Sequence, residues 1–401
     1  MAAWLSIVGV GEDGLDALTP LARRAIDDAT LLVGGERHLA MLPNDGQERK
    51  TWPSPLMLLV NEVMERRGEK ICILATGDPM HFGIGVTFAK RLSSEELAIF
   101  PALSAFSLAA AKLGWDLSKA QQITLHGRPL ELLVPHLAPA AKILALSDSG
   151  ETPAAVSNLL LSLNLEETQM TVLEHLGGTE EKVSTGRPRD FLRKSYRDLN
   201  IIALACPTIA SPNVHATTPG LPDDAFDHDG QLTKREVRSA TLSALAPFPG
   251  ELLIDIGAGS GSIAIEWMRC HPLNRAIAVE PRDDRLKLIE ANRKSLGVPQ
   301  LKILAGTAPS VFSDLEAPDA VFIGGGLSQD EVFEASWKIL KHGGRLVANA
   351  VTIEGEQQLF QIHDTFGGTL TRLNISRAEK IGGFTSWTPY RQVTQLRLVK
   401  E

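Results

Sequence analysis

Residues 251–261 read ELLIDIGAGSG, an apolar strand that runs directly into a turn with three alternating glycines. A strand, a Gly-rich turn and a helix in this order open many nucleotide-binding α/β sheets, because the glycine backbone and the helix N-terminus can approach a ligand closely. About 250 of the 401 residues precede the turn, and the chain is too long for one typical core. The turn therefore predicts a nucleotide-binding domain that follows at least one other domain.

A proline-rich segment divides the chain. Residues 206–230 read CPTIASPNVHATTPGLPDDAFDHDG, with four prolines and no apolar period, which is typical of a linker. On both sides, apolar strands alternate with polar or Gly-rich turns and helices, a pattern that indicates an α/β fold with mostly parallel strands. We predict a first domain over 1–206 with lobes at about 1–115 and 118–206, a linker over 207–230, and a second domain over 231–401.

The second domain has the more regular pattern. LTKREVRSATLSAL predicts an amphipathic helix that begins with a capping box, with Thr233 at the N-cap and Glu236 three residues later. The runs LLIDI, AIAVE, LKIL, AVFIG and GRLVANAV predict five parallel strands. Strand-like runs near 369–376 and 391–399 predict an antiparallel pair at the end.

Composition excludes several classes of protein. The net charge of −8 disfavours a broad nucleic-acid-binding face. The three cysteines have no CxxC spacing and the ten histidines no HxxH or HxxxH spacing, so neither a disulfide framework nor a metal site is indicated. Because no apolar run is long enough for a membrane span and the N-terminus lacks a signal peptide, we expect a cytoplasmic protein without membrane contact.

The C-terminal glycine turn favours one class of ligand. Gly257, Gly259 and Gly261 follow a G-x-G-x-G spacing, whereas a dinucleotide fold requires G-x-G-x-x-G or A. Asp255 at the strand end can approach a cationic amino group, and Glu280 at the end of the next strand can accept both hydroxyls of a ribose. A ligand with a ribose, an amino acid end and no pyrophosphate fits best, which describes S-adenosylmethionine.

The N-terminal glycine turn resembles a dinucleotide site only by spacing. IVGVGEDG matches G-x-G-x-x-G at Gly9, Gly11 and Gly14. Two acids, Glu12 and Asp13, occupy the loop where a pyrophosphate would lie. The helix begins only at Thr19 and Pro20, because these residues are an N-cap and an N1 proline. The loop therefore favours a ligand with a positive centre over a phosphate.

Two further strand ends in the first domain are rich in small residues. KICILA runs into TGDPMHFGIG, and the next strand runs into PALSAFSLAAAKLG, where Ser104 can cap a helix. Because parallel strands end at one edge of a sheet, these loops and the first turn are predicted to form one rim.

These motifs together resemble a known pair of enzyme modules. IVGVGEDG, LLVGGERHL, ATGDPMHFGIG, PALSAFSLAAAKLGW and LHGR resemble the two-lobed tetrapyrrole methylase fold, and LIDIGAGSGSIAIEW with FIGGG resembles a Rossmann-like class I methyltransferase. Nearly the whole chain is similar to fused corrin-ring methyltransferases of cobalamin biosynthesis. That resemblance implies methylation of precorrin-6B at C5 by the first module, and methylation at C15 with decarboxylation of the C12 acetate by the second, leading to precorrin-8.

The resemblance also implies two S-adenosylmethionine sites, one in each domain. The first site takes Gly9, Gly11, Glu12, Gly77, Asp78, Ser104 and Ala105, although the wider family has Pro-Gly where this chain has Glu12 and Asp13. The second site takes Thr233, Asp255, Gly257, Ala258, Gly259, Ser260, Gly261, Glu280 and Gly306.

A corrin precursor carries many carboxylates, so basic side chains are expected to hold it. The candidates for substrate binding are Arg37, His38, Arg128, Lys234, Arg235 and Arg238, with Asn349 at a strand end beside the cofactor. Methyl transfer from a sulfonium needs positioning more than a strong base, so the sequence identifies no catalytic acid or base. No metal is predicted, and enzymes of this class often form homo-oligomers.

Three alternatives remain at this stage. The first is a methyltransferase with one site that acts on RNA or protein. The second is an NAD-dependent oxidoreductase built on GVGEDG, and the third is a tetrapyrrole carrier without catalytic activity.

Overall fold

The computed structural model describes residues 3–313, 315–327 and 331–401. The chain divides into two compact units: the first contains residues 1–130 and 139–210, and the second contains 131–138 and 211–401. The predicted α/β fold class is confirmed. Within the described residues, no helix is long and apolar enough to cross a bilayer.

The first lobe of the first unit is a parallel sheet with helices. Its strand order is β3-β2-β4-β1-β5, and all pairs are parallel, so the loops after β1, β4 and β5 meet at one edge. Thr19 accepts a hydrogen bond from Ala22 N at 3.2 Å and Pro20 begins α1, which confirms the predicted helix start. The elements are β1 Leu5–Val10, α1 Pro20–Asp27, β2 Leu31–Gly34, α2 Glu36–Ala40, β3 Glu48–Thr51, α3 Met57–Glu65, β4 Ile71–Thr76, α4 Gly85–Ala89, β5 Leu97–Phe100 and α5 Ala105–Leu113.

The second lobe corrects the expectation of mostly parallel strands. Its sheet has the order β6-β7-β10-β8-β9, and only β6 and β7 pair in parallel. The physical reason lies in the connections: residues 175–181 between β8 and β9 are too few for a crossover helix, so these strands pair antiparallel. The elements are β6 Gln121–Thr124, β7 Lys142–Leu146, α6 Thr152–Ser162, β8 Gln169–Glu174, β9 Lys182–Gly186 and β10 Asn200–Ala205.

The second unit is built on a seven-stranded sheet of order β13-β12-β11-β14-β15-β19-β16. The first five strands in this order are parallel and β19 is antiparallel to both its neighbours, which confirms the predicted strands and the late antiparallel pair. Residues 376–389 form a separate hairpin that was not predicted. The elements are α7 Arg235–Leu245, β11 Leu252–Ile256, α8 Ser262–Cys270, β12 Arg275–Glu280, α9 Asp283–Ser295, β13 Lys302–Ala305, β14 Ala320–Ile323, α10 Val332–Ile339, β15 Arg345–Ala350, α11 Ile353–Phe366, β16 Thr369–Leu373, β17 Ser376–Ile381, β18 Phe384–Pro389 and β19 Val393–Val399.

Apolar clusters cover both faces of this sheet. Leu253 and Phe322 pack with α8 on one face, and Ile254 and Ile256 pack toward α10 and α11 on the other. Burial on both sides explains why the central strands are continuous apolar runs. The chain leaves β11 toward β12 and β13 and then returns to β14, so a crevice forms at the carboxyl ends of β11 and β14.

Part of the segment predicted as a linker packs into the core of the second unit. Leu221 and Phe226 are 3% and 4% exposed and belong to the core of the second unit. Gly220 N and Leu221 N donate hydrogen bonds to the carboxylate of Glu266 at 2.6 and 3.0 Å. A core contact made by two isolated apolar residues produces no apolar period, so the sequence pattern did not reveal it.

The predicted capping box at the start of α7 is wrong. The helix begins at Arg235 with Lys234 at the N-cap, and its first N–H, that of Arg235, donates to Asp223 Oδ1 at 2.9 Å rather than to a side chain of the motif. Glu236 instead pairs with Arg377, whose Nη2 lies 2.8 Å from its carboxylate. A distant cation thus takes the carboxylate that a local motif would have used.

Candidate functional site

A cavity of about 810 Å³ opens at the carboxyl ends of the central strands in the second unit. It lies at the point where strand order reverses, the usual ligand position in open α/β sheets, and its volume is in the range of small-molecule sites. The predicted residues that line it are Thr233, Lys234, Asp255, Gly257, Ala258, Gly259, Ser260, Glu280, Gly306 and Asn349.

The glycine turn after β11 forms the floor of this cavity. Gly257 has φ +68° and Gly259 has φ +60°, a left-handed conformation that disfavours side chains. Gly257 N and Ala258 N donate hydrogen bonds to Val279 O at 3.0 and 3.1 Å, which ties the turn to β12. Gly261 does not line the cavity: a Cβ there would lie 3.0 Å from Ile289, so this glycine permits the packing of α8 against α9.

Gly257→Ala is expected to weaken cofactor binding at this cavity more than Gly259→Ala. A Cβ at position 257 would lie 2.9 Å from Gly325 N, a backbone contact that cannot yield by rotating a side chain. At position 259 the nearest atom is Gln231 O at 3.9 Å, so that variant pays only the left-handed backbone cost of about 1–2 kcal/mol. Calorimetric titration with S-adenosylhomocysteine measures the difference; equal affinities would contradict the packing argument.

Glu280 at the end of β12 is 2% exposed and holds the turn in place. Its Oε2 accepts a hydrogen bond from Gly259 N at 2.8 Å, and its Oε1 accepts one from Arg282 N at 3.1 Å. The carboxylate therefore lies on the cavity wall with its orientation fixed by two backbone groups, as a ribose-binding acid requires.

Asp255 at the end of β11 is fully buried, and only one of its two carboxylate oxygens accepts a hydrogen bond from the described residues. Its Oδ2 accepts a hydrogen bond from Ala264 N at 3.1 Å, while its Oδ1 has no partner among the described residues. Burial raises the pKa of Asp255 to about 7; the Ala264 bond opposes this shift and the nearby charge of Glu280 adds to it. A buried oxygen without a partner on the cavity floor fits a cationic ligand group.

Asp255→Asn is expected to stabilise the unliganded second unit increasingly as pH rises. Between pH 3.8, the ordinary value, and about 7, only the unfolded state is ionised, so wild-type stability falls as pH rises. Above about pH 7 the loss is complete and amounts to about 4 kcal/mol, whereas Asn does not titrate. Thermal unfolding of both proteins at pH 5 and pH 8 measures the effect; a pH-independent difference would contradict it.

Two of the predicted substrate-binding residues of this unit lie elsewhere. Arg238 is 0% exposed, and its Nε donates to the carboxylate of the equally buried Glu266 at 2.5 Å. It also donates to the carbonyls of Thr233 and Leu221, so it serves packing rather than substrate. Arg235 is exposed and does not line the cavity.

Asn349 lines the cavity, but its amide is already engaged. Its Nδ2 donates to Thr241 Oγ1 at 2.9 Å, and its Oδ1 accepts from Gln395 Nε2 at 2.9 Å. This network fixes the amide at the end of β15.

The structure adds cavity residues that the sequence reasoning missed. They are Gly324, Gly325 and Gly326 after β14, Thr307 and Ala308 after β13, and Tyr390 and Arg391 before β19. The glycine run after the apolar strand β14 could have been predicted from the sequence as part of the site, because a third strand end at the switch point belongs to the same crevice. Tyr390 and Arg391 follow an unpredicted hairpin and had no local signal.

In the first unit, the predicted cofactor loops meet at one sheet edge. Gly77 N donates to Val10 O at 3.1 Å, and Ala102 N donates to Gly77 O at 3.2 Å. A Cβ at Gly9 would overlap the carbonyl oxygen of Gly77, so a glycine is needed for this approach. Gly9 is the second-last residue of β1 and Gly11 follows the strand, Gly77 and Asp78 belong to the loop after β4, and Ser104 and Ala105 lie at the start of α5.

Two of these residues have clear local roles. Ser104 caps α5 by accepting a hydrogen bond from Ser107 N at 3.2 Å, which confirms the predicted cap. Asp78 Oδ1 accepts from Met80 N at 2.8 Å and closes the turn after β4.

Glu12 connects the two lobes of the first unit. Its carboxylate forms an ion pair with Arg37 of the first lobe, and its Oε2 lies 2.7 Å from Nδ1 of His175 in the second lobe. Arg37 Nη2 also donates to Thr76 Oγ1 at 3.2 Å and lies 3.0 Å from His38 Nε2. Glu12 and Arg37 are thus bound to each other in the described structure, and their assignment to the cofactor and to the substrate stays a prediction.

His38 is also unsuited to bind a carboxylate. It is 7% exposed, and burial together with the charge of Arg37 lowers its pKa to about 4. The imidazole is therefore neutral near pH 7 and gives no charge attraction to an acidic substrate.

Arg128 remains available at the surface of the first unit. It is exposed, and its guanidinium carbon lies 5.7 Å from the ring centroid of Phe82. Phe82 is 45% exposed and stacks on His81 at 5.0 Å, and His81 lies 4.5 Å from Phe106. An exposed cation beside the exposed ring of Phe82 suits a flat, acidic ligand.

Each half of the chain matches a known family. Residues 5–191 match the tetrapyrrole (corrin/porphyrin) methylases, and residues 224–400 match a precorrin methyltransferase domain. Precorrin-6Y C(5,15)-methyltransferase [decarboxylating] of a Sinorhizobium species is 46% identical over 396 residues, which cover 98% of this chain and 96% of that protein.

Two shorter relatives match part of the chain. Cobalt-precorrin-7 C(5)-methyltransferase of Salmonella typhimurium is 32% identical over 179 residues, 45% of this chain and 88% of its own length. A Saccharolobus solfataricus protein named "Probable cobalt-precorrin-6B C(15)-methyltransferase (decarboxylating)" is 34% identical over 142 residues, 34% of this chain and 71% of its own length.

Proposed function

Because this chain belongs to the family of decarboxylating precorrin-6Y C5,15-methyltransferases, we propose that its two units perform separate steps of one conversion. It is a methyltransferase of cobalamin biosynthesis that uses S-adenosylmethionine. We propose precorrin-6B as its substrate; the full-length relative is named for precorrin-6Y. In this proposal the first unit methylates C5, and the second methylates C15 and removes the C12 acetate carboxyl as CO2 to form precorrin-8.

The division of labour is supported by the two kinds of family match. The halves of the chain match different methyltransferase families, and shorter relatives named for a C5 or a C15 activity each align with part of it. We therefore propose one S-adenosylmethionine site in each unit. The cavity at the ends of β11, β12 and β14 is the observation that most directly supports the site in the second unit.

The residues of that cavity fit the methyl donor. Asp255 offers a buried oxygen without a described partner, and the glycine turn leaves room that a Cβ would reduce. Asp255 would hold the amino acid end, Glu280 the ribose hydroxyls, and Gly257–Gly259 the backbone approach. In the first unit, we propose that the corresponding methyl-donor site contains Gly9, Gly77 and Ser104.

When bound, S-adenosylmethionine would supply the methyl group of its sulfonium to a nucleophilic ring carbon, with S-adenosylhomocysteine as the leaving group. The chain contributes by aligning the two reactants. The fixed glycine turn would position the methyl donor, and the cavity mouth would position the tetrapyrrole ring. The apolar walls at Ile256, Val279 and Phe322 exclude water from the reacting atoms. In the decarboxylation the C–CO2 bond breaks and its electron pair passes into the conjugated ring, which takes up a proton.

Product mass tests the proposal directly. Incubation with precorrin-6B and S-adenosylmethionine is expected to add two methyl groups and remove one CO2, and calorimetry is expected to give two S-adenosylhomocysteine per chain. One cofactor per chain would favour a single-site methyltransferase acting on RNA or protein. Bound tetrapyrrole with unchanged mass would favour a carrier, and tight NADH binding would favour an oxidoreductase.

A further inference from the structure

Four cationic side chains line the cavity of the second unit: Lys234, Arg282, Arg285 and Arg391. Two of them are already paired with acids. Arg285 lies 2.9 Å from the carboxylate of Asp229, and Arg282 lies 2.5 Å from that of Asp284. Their charges are largely neutralised at the cavity wall.

Lys234 and Arg391 are different. Neither forms an ion pair within residues 3–313, 315–327 and 331–401. The Nζ of Lys234 lies 5.8 Å from the ring centroid of Tyr390, and Arg391 is exposed and directly follows that tyrosine. Both cations thus line the cavity with their charges available to a ligand, and one of them, Lys234, lies over the Tyr390 ring.

Contacts with the β17–β18 hairpin fix the backbone just before β19, where Tyr390 and Arg391 lie. Tyr390 N donates to Ile375 O at 2.9 Å, which closes the base of the β17–β18 hairpin. Arg377 of β17 lies 5.1 Å from the Tyr390 ring and pairs with Asp223 and Glu236 at 3.1 and 2.8 Å. These contacts fix Tyr390 against the start of α7, where Lys234 lies, so the order is built into the unliganded protein.

The distribution of charge around the cavity indicates what the two cations bind. The floor of the cavity presents the acids Asp255 and Glu280, so the carboxylates of an acidic ligand are disfavoured on the floor and favoured at the cations Lys234 and Arg391. Unneutralised cations beside an aromatic ring suit the carboxylates of a conjugated, acidic molecule.

We propose that Lys234, Tyr390 and Arg391 form a carboxylate-binding subsite at the mouth of the cavity. It holds acidic side chains of the tetrapyrrole while the ring carbon faces the methyl donor on the floor. The assignment rests on the proposed function of the second unit, and it adds Tyr390 and Arg391 to the binding residues.

The first test is local and does not depend on turnover. Uroporphyrin I, a stable tetrapyrrole with eight carboxylates, is added to the full chain, and hydrogen–deuterium exchange is followed over 230–237 and 387–395. We expect uroporphyrin I to slow exchange in both segments of the wild-type protein, and the double variant Lys234→Gln/Arg391→Gln to lose most of this protection. S-adenosylhomocysteine should still protect 255–261 in that variant, which shows that the cavity floor is folded.

The second test measures C15 methylation. The double variant is expected to raise KM for the tetrapyrrole at least tenfold with little change in kcat, while Lys380→Gln, on the exposed side of the same hairpin, leaves both unchanged. Equal protection by uroporphyrin I in wild type and double variant would overturn the subsite, as would absence of protection in wild type. Absence of C15 methylation in wild type would instead overturn the proposed function, and the exchange result would still decide the subsite.

Discussion

Glu280→Ala is expected to abolish methylation at C15 and leave methylation at C5 measurable. The variant removes the acceptor of the Gly259 N–H and Arg282 N–H bonds and the carboxylate proposed to bind the ribose. Hydrogen bonds to charged groups contribute roughly 1.5–3 kcal/mol each, so the loss of the two proposed bonds to the ribose hydroxyls predicts cofactor affinity lower by about 100-fold or more at this site. Mass spectrometry of the product distinguishes the two methyl groups.

Calorimetry with S-adenosylhomocysteine supplies the matched measurement for this variant. One binding site per chain is expected to disappear and the other to remain. Glu290→Gln, at a partly exposed position of α9, is the control and should keep both. Thermal unfolding checks that the Glu280→Ala variant is folded. Loss of both methylations in a folded variant would show that the two units do not act independently.

Arg238→Ala is expected to destabilise the second unit rather than weaken substrate binding alone. The guanidinium is completely buried, pairs with Glu266 at 2.5 Å and lies 4.7 Å from the Phe226 ring. Its removal leaves the Glu266 carboxylate buried with its main counter-charge gone, a change that costs about 3–5 kcal/mol. For a unit of this size, that corresponds to a fall in the thermal midpoint of roughly 10 °C.

Arg235→Ala is the control for this prediction, because Arg235 begins the same helix but is exposed. The double variant Arg238→Met/Glu266→Leu should recover part of the stability, since neither charge then remains buried alone. An unchanged thermal midpoint together with a raised KM for the tetrapyrrole would restore Arg238 as a substrate ligand.

Local sequence patterns predicted the parts of the site that depend on strand ends. Asp255, Glu280 and the glycine turn come directly after apolar runs, and parallel pairing brings such ends to one edge. The antiparallel second lobe was not predictable in this way, because apolar runs alone do not give strand direction.

The roles of charged residues were harder to predict, since they depend on partners far away in the chain. Arg238 and Lys234 are four residues apart, yet one is buried with Glu266 and the other lies at the cavity. Glu12 fits a cofactor loop by position but pairs with His175 of the second lobe. Only the tertiary fold decides which cation is neutralised and which is free.

The β17–β18 hairpin is an insertion with closely spaced ends. Leu373 of β16 is the register partner of Val393 of β19, so residues 374–392 leave and rejoin the main sheet at one point. A segment of this kind can be exchanged for another without altering the strands that carry the cofactor floor. Under the proposed function, grafting of a different segment in place of 374–392 is expected to keep the donor pocket and to change the choice of acceptor.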